Sequence, residues 1–123
     1  MAQSAGLHEP AELLTPETID RHRAIVSIQE EFEAADWYDQ RVAATQDPEL
    51  AAILAHNRDE EKEHASMILE WVRRHDAALD GHLRTYLFTT EAVTEVEAEA
   101  TEGGADGPRD SSLGIGSLRG AAL

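Results

Sequence analysis

The stretch Ala55-His56-Asn57-Arg58-Asp59-Glu60-Glu61-Lys62-Glu63-His64-Ala65 decides how the rest of the chain is read. Within it Glu61 and His64 are three positions apart. On an α-helix that spacing sets two side chains on one face, about one turn from each other. A carboxylate and an imidazole so placed can share one metal ion. Glu-x-x-His at this spacing also occurs in many helices without chemistry, so its meaning depends on the face it occupies.

Working outward, Asp47-Pro48-Glu49 carries a helix start: a capping Asp, Pro at the first helical position and an acid in the first turn. From there the pattern predicts a helix to about His75. Its apolar stripe is Leu50, Ile53, Leu54, Asn57, Glu61, His64, Ile68, Trp71 and Val72, so Glu61 and His64 interrupt a buried face. Arg73, Arg74 and His75 suit the negative end. Upstream, Thr15-Pro16-Glu17 repeats the start signal, and nothing breaks the chain before Ala44. Ile19, Ala24, Ile25, Ile28, Phe32, Ala35, Tyr38 and Val42 recur near the helical period, with Glu31 among them. Glu30, Glu33 and Trp37 project from roughly the other side. The short connection predicts an antiparallel hairpin. Ala77–Phe88 reads as a shorter third helix.

Length and charge bound the function. The 123 residues suit one domain. No cysteine is present, so thiolate zinc sites, disulfides and Fe–S clusters are excluded and a metal site must use His and carboxylates. The net charge of −15 opposes binding to nucleic acid or an anionic membrane. No apolar run reaches membrane-spanning length, and no signal pattern opens the chain, which predicts a cytosolic protein.

A buried carboxylate without a partner costs several kcal/mol. Glu31 on the first helix and Glu61/His64 on the second face that problem together, and in a hairpin they meet at mid-length. Mixed carboxylate and imidazole donors suit Fe(II), Mn(II) or Zn(II). A four-helix di-metal carboxylate site takes twice this set, from twice this number of helices. Two chains about a two-fold axis supply both. The expected fold is therefore all-α: a two-helix hairpin plus a short third helix, forming a four-helix bundle on dimerisation. The alternative is a buried hydrogen-bonded cluster that only fixes register. His8, His22, His56, His75 and His82 read as surface residues, as do Asp59, Glu60 and Glu63.

The ends read differently. Residues 1–14 form an expected flexible arm and residues 15–90 the helical domain. Residues 91–112 hold seven acids, Arg109, three glycines and Pro108, which predicts a disordered acidic linker. Leu113-Gly114-Ile115-Gly116-Ser117-Leu118-Arg119-Gly120 then restores apolar anchors at extended spacing, as a docking peptide would.

Residues 8–90 and this tail resemble the encapsulated ferritins of bacteria. Ser27-Ile28-Gln29-Glu30-Glu31-Phe32-Glu33-Ala34-Ala35-Asp36-Trp37-Tyr38-Asp39-Gln40-Arg41 and Leu54–Ala65 carry the resemblance, and residues 113–120 are similar to peptides that direct cargo into encapsulin shells. The resemblance implies a ferroxidase that oxidises Fe(II) to Fe(III) with O₂ at a di-iron centre between two subunits. Glu31, Glu61 and His64 are the implied ligands, Tyr38 lies close by, and Glu30 and Glu33 beside Trp37 form an outer site through which iron enters. It further implies homodimers assembled into an annular decamer, held inside an encapsulin compartment of the bacterial cytoplasm. Two other readings are a non-catalytic recruitment module and a rubrerythrin-like peroxidase; the lack of Cys opposes a built-in electron-transfer centre for the latter.

Overall fold

The computed structural model describes residues 6–106, with side chains to residue 102. Among these residues the fold is all-α, with four α-helices and no strand: α1 (Pro16–Ala44), α2 (Pro48–Arg74), α3 (Ala77–Tyr86) and α4 (Val93–Asp106). The chain divides into two compact units, the first ending at Val72 and the second beginning at Arg73.

Local chemistry accounts for the helix ends. The Thr15 hydroxyl accepts the Thr18 N–H at 3.1 Å, with Pro16 at the first helical position. Asp47 Oδ1 accepts the N–H groups of Glu49 and Leu50 at 2.9 and 3.1 Å. Asp76 Oδ1 accepts the Leu79 N–H at 2.9 Å. Each cap satisfies amide groups that have no partner inside the first turn.

Within the first unit α1 and α2 are antiparallel. Arg58 Nη1 donates to Asp39 Oδ1 at 2.9 Å, and His64 lies 3.5 Å from Glu31. Advancing along α2 thus corresponds to retreating along α1. Arg58 also binds its neighbour Asp59 at 3.0 Å, so one guanidinium ties both helices. The buried interior is thin: Ala35 on α1, and Ala65 and Val72 on α2. Ile25, Phe32, Leu50, Ile53 and Met67 remain exposed. The single apolar stripe expected on each helix is split, part of it meeting the other helix and part facing away from it.

In the second unit α3 packs on α4. Asp80 of α3 pairs with Arg73 and with Arg84, the latter at 3.0 Å. Burial pushes the Asp80 carboxyl up, and the two guanidinium groups outweigh it, holding it below the usual carboxylate range.

Two expectations are corrected. Residues 93–106 form α4 rather than a disordered linker. Ala98, Ala100 and the surrounding glutamates favour helix. Val96 and Ala100, one turn apart, are buried and half-buried, giving the helix an inward face. Residues 11–13 of the expected flexible arm form a 3-10 turn. Residues 107–112 of the expected linker and the docking peptide at 113–123 lie outside the described residues.

Phe88, just past α3, adopts φ 63° and is fully exposed. A bulky side chain in the left-handed region costs about 1–2 kcal/mol, which glycine avoids. Phe88→Gly is expected to stabilise the protein by about 0.5–1 kcal/mol, after the greater chain entropy of glycine is deducted. Urea unfolding at equal m-value checks this, and a lowered midpoint would contradict it.

Candidate metal centre

The middle of the hairpin brings together the three polar residues that interrupt the apolar stripes. Glu31 comes from α1, and Glu61 and His64 from α2. One ligand atom of each lies within 4.8 Å of the other two. His64 Nδ1 stands 3.4 Å from Glu61 Oε1 and 3.5 Å from Glu31 Oε1. Both carboxylates are about three-quarters covered, at 26% and 25% exposure, while His64 is 48% exposed. Among the described residues this is the one cluster of three or more metal-capable side chains.

Electrostatics bind the three together. The Glu31 carboxyl sits above its ordinary value because it shares a hydrogen bond with Glu61. Burial and the Glu61 charge add to this, and His64 partly offsets it. For His64, burial alone would lower the imidazole. The Glu61 hydrogen bond and the Glu31 carboxylate outweigh it, so the net shift is upward. The three groups are therefore electrostatically linked. Two carboxylates with an imidazole form a donor set for a hard-to-borderline metal, whose binding would displace any proton they hold.

The other expected residues are less connected. Tyr38 is half-buried on α1, with the Arg41 guanidinium 5.5 Å from its ring centre. Among the described residues its hydroxyl makes no hydrogen bond to Glu31, Glu61 or His64. Glu30 is exposed, Glu33 half-buried and Trp37 exposed. No fourth metal-capable side chain joins Glu31, Glu61 and His64 among the described residues. Sequence reasoning missed the Arg58–Asp39 bridge. Its one signal was a basic residue one turn before Glu61 on the same face of α2, but only the hairpin register identifies the partner.

A long antiparallel helical hairpin with a carboxylate–histidine cluster at its waist is the arrangement of a ferritin-like chain with a candidate metal site. The chain belongs to the EncFtn-like family, whose model matches residues 6–90. It is 61% identical to an encapsulated ferritin-like protein of Rhodospirillum rubrum, over 99% of this chain and 94% of that protein. It is 50% identical to a ferritin-like protein of Thermotoga maritima, over 90% of this chain and 96% of that one. An encapsulin nanocompartment cargo protein of Myxococcus xanthus is 36% identical, over 76% of this chain and 80% of that one. A crystal structure of a Nitrosomonas europaea protein superimposes with a TM-score of 0.69 at 61% identity, covering 71% of this chain and 96% of that one.

The raised His64 value has a measurable consequence. A group whose folded pKa is raised stabilises the fold fully below its unfolded value, and that stability is lost as pH rises through the folded value. In the metal-free protein the His64 ring is expected to titrate above the ordinary 6.5. Glu61→Gln removes the strongest raising contact and should bring the midpoint down. Ring-proton NMR across pH 5–9 reads both, and an unmoved midpoint in the variant would contradict the assignment.

Proposed function

We propose that the protein is a ferroxidase whose substrate is Fe(II) and whose centre is completed by a second copy of the chain. The observation that carries this reading is the open side of the cluster. His64 is half exposed, and by helical spacing it shares a face of α2 with Ile53 and Met67. On α1, Ile25 and Phe32 also stay exposed, Phe32 at 55% and Met67 at 64%. Apolar residues of this size beside a half-assembled donor set suit a partner helix pair. Two copies across this face make a four-helix bundle with four carboxylates and two imidazoles, enough for two ions.

In this reading Glu31, Glu61 and His64 of each subunit hold a pair of Fe(II) ions, and two such ions supply two electrons to O₂. The chain's own part is to fix two ions at a set separation and to give up any proton its ligands hold. Glu30 and Glu33, beside Trp37, form an outer site on the iron route, and Tyr38 lies beside the centre. The dimers assemble further into an annular decamer. Leu113–Gly120 docks in an encapsulin shell within the bacterial cytoplasm, and the Fe(III) product is stored there. The likeness to an encapsulated ferritin-like protein and to an encapsulin cargo protein supports this placement. Among the described residues, no helix is long and apolar enough to cross a membrane.

Anaerobic Fe(II) titration followed by O₂ tests the centre. Two irons per dimer are expected, and none would refute the reading. Loss of groups that merely orient a metal ligand lowers affinity or activity about 10–100-fold, so Glu61→Ala and His64→Ala, which remove ligands, should slow oxidation by at least about 100-fold. Wild-type rates in either variant would overturn the assignment. Deleting residues 113–123 should leave oxidation intact and abolish co-purification with a co-expressed shell. Unchanged loading would remove the tail from the proposal.

A further inference from the structure

We infer that Ala35 and Ala65 are positioning residues of the metal centre, each leaving room across the hairpin for a carboxylate of the opposite helix. The inference rests on reading Glu31, Glu61 and His64 as metal ligands.

Two cross-helix contacts fix the register: Asp39 with Arg58, and Glu31 with His64. Ala35 lies midway between Glu31 and Asp39. Glu61 lies midway between Arg58 and His64. Ala35 therefore stands level with Glu61. By the same register Ala65, next to His64, stands level with Glu31. Each carboxylate thus meets an alanine on the facing helix, and these two alanines are the buried residues beside the cluster, at 5% and 0% exposure. The larger apolar residues of the hairpin lie elsewhere along it or face outward.

Interaxial distance depends on the side chains at the contact. A fully covered Ala65 leaves no outward path for added methyl groups, which would enter the space of Glu31 or push α1 away. Overpacked helices relieve such strain by moving backbone. Metal sites tolerate only about 0.2 Å in ligand distance, so a shift that the hairpin survives is one the three donors do not.

Co(II) titration of the full chain, followed by visible absorption and with helicity checked by circular dichroism, tests this. Ala65→Leu is expected to weaken Co(II) binding at least about 10-fold while retaining helix, and Ala65→Ser to stay within about 3-fold of wild type. Alanine placement also predicts coupling. In a Glu31→Ala background, adding Ala65→Leu should cost less than about 2-fold more, because the carboxylate it displaces is already gone. An equal loss in both backgrounds would reduce Ala65 to a general packing residue and overturn the inference. Wild-type affinity in a helical Ala65→Leu protein would overturn it as well. Should Ala65→Leu lose its helicity, Ala65→Val decides by the same comparison. If wild type itself binds no Co(II), the metal reading fails and the positioning role falls with it.

Discussion

Two carboxylates held within 4.8 Å of each other on facing helices impose one constraint on everything around them. The Glu31 carboxyl is held above its ordinary value by its hydrogen bond to Glu61, with burial and the Glu61 charge adding to it. His64 stands beside both carboxylates, and its imidazole too holds its proton more tightly than usual. Those same protons must leave before a divalent ion can bind.

The packing of the hairpin follows from keeping this cluster at its waist. A conventional helix pair would bury leucines and isoleucines along the whole seam. Here the residues buried at mid-length are alanines, and large apolar side chains such as Phe32 and Met67 stay exposed. Such a hairpin removes little apolar surface from water by itself. Arg58, reaching Asp39 and Asp59, adds a directional tie where hydrophobic contact is sparse. Missing hydrophobic burial and a half-complete donor set occur on the same face. In the proposed dimer a second chain would correct both, so association and metal chemistry would depend on one surface.

The sequence made much of this visible, and the reasons for its failures are physical. The helix starts were legible because Thr15, Asp47 and Asp76 cap within their own turn, a purely local interaction. Glu31, Glu61 and His64 could be picked out because charged residues inside an apolar stripe demand partners. Helix α4 was missed because Gly103, Gly104 and the density of acids outweighed a two-residue inward face at Val96 and Ala100. The Arg58–Asp39 bridge spans two helices and appears only once the register is known. Ala65 carries no signal at all: an alanine in a helix reads as propensity, and its burial is visible only in three dimensions. The division of each stripe into a part facing the other helix and a part facing away from it was hidden too, since periodicity gives direction but not the number of neighbours.

This division bears on how the proposed reaction would be governed. A lone hairpin presents three donors. It has no means of fixing two ions at a chosen distance, because it supplies one imidazole and two carboxylates. In the proposed assembly the distance between the ions is set by the approach of the chains, and the donors around each ion are set by the approach of α1 to α2. The first distance depends on exposed side chains such as Phe32, the second on small buried ones such as Ala65. A change on the outer face would therefore alter how two ions cooperate, and a change at the alanines would alter whether either ion binds. In the proposed assembly these controls would fall to different residues of the same two helices, exposed Phe32 for the first and buried Ala35 and Ala65 for the second.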